Sequence, residues 1–173
     1  MKKIILNRDK IGKKVKELGD RITRDFRNDK LVLIGVLNGA FIFMADLARA
    51  INLPLQIDFI RVASYGMKSS PGGLAFTKDT ELDLAGKKIL LVEDIIDTGK
   101  TIAHLKKHFQ ERGVESVHIC TLIDKKERRE VDIEADYIGF SVADGFLVGY
   151  GLDFAEQHRN LPEVYHLENP QAE

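Results

Sequence analysis

The fold is decided by residues 88–101, KILLVEDIIDTGKT. Their first five residues, 88–92 (KILLV), predict a strand that is buried on both faces. Glu93 and Asp94 follow at its carboxyl end, Asp97 comes three residues later, and the last four residues, TGKT, open a helix. Ligands of open α/β sheets bind at this end of the strands, and free N–H groups at a helix start favour phosphate. The stretch therefore predicts carboxylates for hydroxyls or a metal beside a cradle for a phosphate.

Two other phosphate-binding motifs do not fit the same stretch. The ending Gly99-Lys100-Thr101 superficially resembles a P-loop, but that motif requires its first glycine at position 94. Asp94 stands there, and its carboxylate would repel a phosphate chain. The glycines of the dinucleotide fingerprint are also absent. A capped helix with a solvated acidic turn is the non-functional interpretation, and three acids before Gly-Lys-Thr are a costly pattern for capping alone.

Outside this stretch, apolar patterns alternate between strand and helix. The segment at residues 64–78, rich in Ser, Gly and Pro, predicts a mobile loop. Alternation of this kind predicts an α/β fold, a mainly parallel twisted sheet flanked by helices, with no linker dividing residues 1–173. The predicted helices are residues 11–26, 41–51 and 102–112, and the further strands are residues 30–37, 55–63, 116–123 and 137–142.

Composition narrows the class of protein. Lys and Arg number 26 and Asp and Glu 27 among 173 residues, so no net basic field is present to hold nucleic acid. The single cysteine, Cys120, lies in an apolar run and is interpreted as a buried small hydrophobe. The apolar run at residues 4–6 is too short for a signal peptide, and no run reaches membrane-spanning length. We expect a cytoplasmic protein with neither nucleic acid nor a membrane as partner.

Residues 92–101 resemble the phosphoribosyl-pyrophosphate motif of type I phosphoribosyltransferases, in the form of the hypoxanthine-guanine branch. Further matches follow in the order of that family, and the resemblance covers roughly residues 5 to 167. Residues 35–40 (GVLNGA) resemble its pyrophosphate loop, and Ser64-Tyr65-Gly66 resemble the start of its mobile lid. Lys125 resembles the lysine that contacts the purine in that family. Residues 146–153 (FLVGYGLD), together with Arg159, resemble its C-terminal segment, which binds the purine and the metal.

The resemblance implies both a fold and a reaction. The fold would carry a small hood built from the chain ends. The reaction would condense hypoxanthine or guanine with 5-phosphoribosyl 1-pyrophosphate (PRPP) to give IMP or GMP and pyrophosphate, with Mg²⁺, in purine salvage. The resemblance also implies a homo-oligomer, a dimer or a tetramer.

Each implied role falls on a numbered residue. Asp97 would be the general base. Many relatives carry a basic residue where this chain has Asn38. PRPP would be bound by Glu93, Asp94, Asp97, Thr98, Gly99, Lys100 and Thr101; the pyrophosphate by Asn38, Gly39 and Arg159; the purine by Lys125, Phe146, Leu147 and Asp153; and the metal by Glu93, Asp94 and Asp153.

Several alternatives stay open at this point. Lys125 also fits the solvated face of a charged run, and Phe146 also fits the core. His104 and His108 lie four apart on a predicted helix, without the glutamate of a zinc-protease motif, and are interpreted as surface residues. The enzyme could instead prefer xanthine or another purine. A non-catalytic regulator that senses PRPP is the alternative from a different class, and the candidate purine site argues against it.

Overall fold

The architecture comes from a computed structural model, which describes residues 2–64 and 74–168. Its main body is a six-stranded sheet in the order β4-β3-β2-β5-β6-β7, parallel at every pairing except β3 with β4. Elements are numbered in chain order. The strands of this sheet are β2 (Leu31–Val36), β3 (Gln56–Ser64), β4 (Leu74–Lys78), β5 (Lys88–Ile96), β6 (Ser116–Asp124) and β7 (Tyr137–Ser141).

Helices cover both faces of the sheet. Helices α1 (Arg8–Asp25) and α2 (Phe41–Ala50) pack on one face, and α3 (Lys100–Glu111) packs on the other. Successive residues of the central strands enter opposite cores: Leu33 belongs to the core under α1 and α2, and Ile34 belongs to the core under α3. The predicted α/β fold is therefore confirmed. None of the described helices has the length and apolarity needed to cross a membrane.

A second, antiparallel sheet is formed by the two ends of the chain. Its order is β1-β9-β8, with β1 at Lys2–Leu6, β8 at Phe146–Val148 and β9 at Val164–Leu167. This sheet is the hood that the family resemblance implies. Since its strands have only three to five residues each, their apolar pattern is too short to identify them from sequence.

Strand β5 extends beyond the predicted residues 88–92. Pairing with β2 ends at the Gly35–Val92 register, whereas pairing with β6 continues to Ile96 and Asp124. Glu93 and Asp94 consequently lie inside the strand rather than in a loop after it. On the β2 side, the edge of β5 is left open to the loop that follows β2.

The loop predicted over residues 64–78 is wrong at both of its ends. Ser64 is the last residue of β3, and Leu74–Lys78 form β4, which pairs antiparallel with β3. A short strand flanked by Ser and Gly gives too little periodicity to be recognised. Tyr65 and Gly66, at the predicted start of the lid, lie outside the described residues.

Candidate active site

Two cavities meet at the carboxyl end of β5, and Ile95 and Asp97 line both of them. The smaller cavity, of about 250 Å³, lies at the start of α3, and the larger, of about 600 Å³, lies under the hood. The smaller is also lined by Glu93, Ile96, Thr98, Gly99, Thr101 and Ile102, and the larger by Asp94, Lys125, Arg128, Asp144, Gly145, Phe146, Leu147, Leu152 and Asp153.

The adjacent carboxylates of β5 are almost fully buried, with Glu93 8% and Asp94 7% exposed. Burial, together with the neighbouring charge of Asp94, raises the pKa of Glu93 well above its ordinary value. Burial also raises the pKa of Asp94, against the opposing effects of hydrogen bonds, including one from the Ile95 N–H, and of the Arg159 charge. Two carboxylates in this condition would be stabilised by a cation or by hydroxyl donors.

Glycine is required where the loop after β2 reaches Asp94. A Cβ at Gly39 would lie 1.9 Å from an oxygen of the Asp94 carboxylate. A Cβ at Gly151 would lie 2.0 Å from the Gly39 carbonyl oxygen, and Gly151 has a positive φ of 104°. The Leu37–Asn38 peptide of the same loop is cis. The loop, the β5 carboxylates and the hood thus meet in a space that admits no extra side-chain atom.

The start of α3 forms the wall of the smaller cavity. Its first amides lack partners within the helix, as at every helix N-terminus. Gly99 precedes the helix with φ 83°, and a Cβ there would lie 2.6 Å from Ile133 Cγ2 and 2.8 Å from Arg129 Cδ. The segment packed behind the loop therefore requires this glycine. The side chain of Lys100 forms an ion pair with Glu130 and does not line the cavity, so of this residue only the backbone lies beside the other predicted PRPP residues at the start of α3.

The larger cavity brings together the predicted purine residues. Lys125 is only 4% exposed, and its Nζ donates a 2.6 Å hydrogen bond to the Gly145 carbonyl oxygen, so it is not part of a solvated face. Phe146 is 42% exposed and so is not a core residue, and its ring meets that of Phe154 edge-to-face at 5.3 Å. Leu147 is buried in β8 beneath this wall.

Arg159 and Asp153 are tied to each other within the hood. Arg159 Nη2 lies 2.9 Å from Asp153 Oδ1, and Nη1 donates to the Gly151 carbonyl oxygen at 2.9 Å. Asp153 Oδ2 accepts from the Glu156 N–H at 2.9 Å. A pyrophosphate contact from Arg159 would therefore need some of these bonds to be exchanged.

Sequence reasoning missed Arg128. Its Nε lies 3.1 Å from Asp97 Oδ1, and its side chain lines the larger cavity. Arg128 ends a short 3₁₀ helix, Lys126–Arg128, that Lys125 precedes. Nothing in the charged run that contains both residues predicts this short helix, so the sequence offered no clear signal for Arg128.

Comparison with known proteins gives a consistent result. The family described as phosphoribosyl transferase domain matches residues 1–155. The chain is 45% identical over 170 residues to a hypoxanthine-guanine phosphoribosyltransferase of Aquifex aeolicus, covering 96% of this chain and 95% of that protein. It is also 45% identical over 165 residues to the enzyme of the same name from Bacillus subtilis, covering 95% and 92%.

Solved structures agree with these sequence matches. A hypoxanthine phosphoribosyltransferase of Staphylococcus aureus superposes with a TM-score of 0.91 at 41% identity, covering 96% of this chain and 91% of that one. A Trypanosoma cruzi hypoxanthine phosphoribosyltransferase, solved as a K68R mutant in a ternary substrates complex, superposes with a TM-score of 0.90 at 36% identity. The match covers 95% of this chain and 94% of that one. The chain therefore belongs to the phosphoribosyltransferase family.

Proposed function

We propose that this protein is a purine-salvage transferase that joins hypoxanthine or guanine to the phosphoribosyl group of PRPP, giving IMP or GMP and pyrophosphate. One observation carries the proposal: a single acid, Asp97, lies between a cavity at a helix start and a larger cavity walled by Phe146 and Lys125. A phosphate-bearing sugar suits the first cavity and a flat heterocycle with an acceptor oxygen suits the second. The names of the relatives support the same reaction.

The roles proposed in the larger cavity follow from the chemistry of each side chain. Phe146 stacks on the purine ring, and Lys125, which has only donors, donates to the 6-oxo oxygen. The backbone near Leu147 contacts the position where guanine carries its amine. Asp97 accepts the N7 proton as the purine attacks the anomeric carbon, so its geometry matters more than the strength of the base.

The residues proposed to bind PRPP act on its charged phosphates and on its ribose hydroxyls. The N–H groups at the start of α3, with the hydroxyls of Thr98 and Thr101, bind the 5-phosphate. Glu93 and Asp94 hold the ribose hydroxyls. The loop around Gly39 presents backbone amides to the pyrophosphate, and Arg159 adds a fork of donors. Holding the partners in line while stabilising the leaving group lowers the barrier to an oxocarbenium-like transition state.

The donor set fits magnesium. Within residues 2–64 and 74–168, no group of three or more His, Cys, Asp or Glu side chains is arranged to hold a metal ion. Mg²⁺ is bound through one or two carboxylates together with substrate phosphates, so such a group is not needed. The buried pair Glu93 and Asp94 would hold one Mg²⁺, directly or through water, and Asp153 would serve a second near the purine. When bound, the ion neutralises charge on the departing pyrophosphate.

The test is the initial rate of pyrophosphate release from PRPP and Mg²⁺ with hypoxanthine, guanine, xanthine and adenine in turn. We expect turnover with hypoxanthine and guanine. Adenine presents an amino group where Lys125 needs an acceptor, and a site built for one hydrogen-bonding pattern can reject the mismatched analogue by about 10⁴. Adenine turnover comparable to that of hypoxanthine would refute the assignment. Faster turnover of xanthine than of hypoxanthine or guanine would instead support the alternative of a xanthine-preferring enzyme.

We propose that residues 1–173 act as one phosphoribosyltransferase domain, in the cytoplasm, as a dimer or tetramer of identical chains. The non-catalytic PRPP sensor is distinguished by the same assay. A sensor would bind PRPP and release no pyrophosphate with any purine.

A further inference from the structure

Arg128 contacts the candidate base from within the larger cavity. Its Nε lies 3.1 Å from Asp97 Oδ1, and its Nη1 lies 3.8 Å from Asp144 Oδ1 on the rim of the cavity. The Arg128 side chain is 52% exposed, so it contributes little to packing of the core. Its main effect is therefore that of its positive charge on the nearest carboxylate, that of Asp97.

The carboxylate oxygens of Asp97 are in different surroundings. Oδ1 is buried and accepts no hydrogen bond within the described part of the chain, so the nearby Arg128 guanidinium is a charge contact without hydrogen-bond alignment. The Asp97 side chain is nevertheless 35% exposed, and the exposed part excludes Oδ1. Oδ2 is therefore the oxygen left to face a ligand.

We propose that Arg128 is a positioning residue that fixes the orientation of the Asp97 carboxylate. The inference rests on the proposed function, in which Asp97 accepts the purine N7 proton. The terminal torsion of an aspartate is broad and roughly two-fold, so packing alone restrains a carboxylate poorly. The charge of Arg128 holds Oδ1 against the cavity wall, which directs Oδ2 toward the purine.

This role predicts an effect on kcat rather than on binding. Arg128→Ala frees the carboxylate to rotate, and misplacement of a reacting group by about 1 Å can reduce a rate by about 100-fold. We expect kcat to fall by about 10- to 100-fold and the KM for hypoxanthine to change by less than about threefold. Arg128→Lys should restore most of the loss because it keeps the cation.

The decisive experiment is a double-mutant cycle with Asp97→Asn. If Arg128 acts only through Asp97, the double variant should be no slower than Asp97→Asn alone. Lys126→Ala is the matched control: this cation lies on the same 3₁₀ helix, pairs with Glu134 at 3.0 Å and does not line the larger cavity. It should keep the wild-type kcat.

Several results would overturn the inference. Losses that multiply in the double variant, or a raised KM with unchanged kcat, would mean that Arg128 contacts a substrate directly. Crystal structures of wild type and Arg128→Ala read the carboxylate orientation without turnover, and an unrotated, equally ordered Asp97 in the variant would also reject it. Failure of the proposed function looks different, because the wild-type enzyme itself would then release no pyrophosphate.

Discussion

The buried acids of β3 and of β5 lie on the same sheet under opposite electrostatic conditions. Asp58 on β3 accepts from the N–H groups of Phe59, Glu81 and Leu82, and Lys78 Nζ lies 3.5 Å away. Burial alone would raise the pKa of Asp58, but these donors outweigh it and lower the pKa. On β5, burial raises the pKa values of Glu93 and Asp94.

A second acid near β4 shows the same balance as Asp58. Asp79, next to β4, is held by Arg112 at 3.0 Å and by His108 at 3.1 Å. Burial would raise the pKa of Asp79, whereas the Thr80 N–H, His108 and Arg112 lower it. Donors of the protein thus outweigh burial at Asp58 and Asp79, the β4 anchor, whereas burial outweighs the donors of the β5 pair and leaves these two acids for a ligand to stabilise. A buried acid whose pKa is raised, rather than lowered by protein donors, is the better indicator of a ligand site.

The largest effect we expect is on kcat, and it comes from making the same Asp-to-Asn change at an acid of the site and at an acid of the β4 anchor. Asp97→Asn removes the proton acceptor and should lower kcat by about 10²–10⁴, with PRPP binding nearly unchanged. Asp79→Asn is the control and should keep kcat near the wild-type value. Steady-state kinetics with hypoxanthine and PRPP measure both. A wild-type kcat for Asp97→Asn would remove Asp97 from the chemistry.

The next effect tests how tightly the loop after β2 fits against Asp94. In Gly39→Val, the new Cβ would lie only 1.9 Å from an oxygen of the Asp94 carboxylate, so the loop or the carboxylate must move. We expect kcat/KM to fall by about 100-fold or more, which corresponds to about 2.7 kcal/mol of transition-state stabilisation.

Asn38→Ala, in the same loop, is the control for Gly39→Val. It should cost less than about tenfold in kcat/KM, because the proposed pyrophosphate contacts from this loop are made by backbone amides. Circular dichroism of both variants checks that they fold. A hundredfold loss in Asn38→Ala, with Gly39→Val no worse, would assign the contact to the Asn38 side chain instead.

Sequence predicted the β5 side of this comparison far better than the β4 anchor. A continuous apolar run marks a buried strand strongly, so the position of Glu93 and Asp94 near its end followed directly. The contact of Gly39 with Asp94 is tertiary, and no local pattern encodes it. The sequence indicates surface positions for His104 and His108, but both are half-buried because Phe76 of β4 packs against their rings, with ring centroids 5.5 and 4.3 Å apart.

Most of the features that the sequence did not predict involve the short strand β4. Its five residues gave no usable periodicity, so neither its pairing with β3 nor its cover over α3 could be foreseen. Arg128 escaped notice for a different reason. A charged run is usually solvated, and sequence alone does not reveal that Lys125 and Arg128 turn from this run into a cavity.

A smaller effect is expected on stability, at the anchor. Asp58→Ala leaves the amides of Glu81 and Leu82 without their acceptor, so the free energy of unfolding should fall by about 2 kcal/mol and Tm by roughly 4–8 °C. kcat/KM, measured where the variant is folded, should change little. Asp83→Ala is the control and should lose less, because exposed Asp83 accepts, within the described residues, a single hydrogen bond from the Ala85 N–H at 3.2 Å.

The stability contributed by Asp58 should also depend on pH. Its pKa is lowered by folding, so its contribution is fully present above the unfolded value of about 3.9 and is lost as the pH falls through the folded value. The Tm difference between wild type and Asp58→Asn should therefore be largest near neutrality and shrink in acid. A difference that is constant from pH 7 to pH 3 would contradict the assignment of charge to Asp58.

The smallest effect we expect has the opposite sign. Glu93→Gln removes one of two adjacent buried carboxylates, which relieves both the desolvation of a charge and its repulsion by Asp94. At pH 7, without ligand or metal, Tm should rise slightly, whereas a fall like that of Asp58→Ala would mean that Glu93 is satisfied by the protein. Adding PRPP and Mg²⁺ should reverse the order, because a ligand stabilises the folded state in proportion to its affinity and the variant has lost a ribose or metal contact. A gain in the free protein that becomes a deficit in the complex is the signature of an acid kept for its ligand at the expense of the fold.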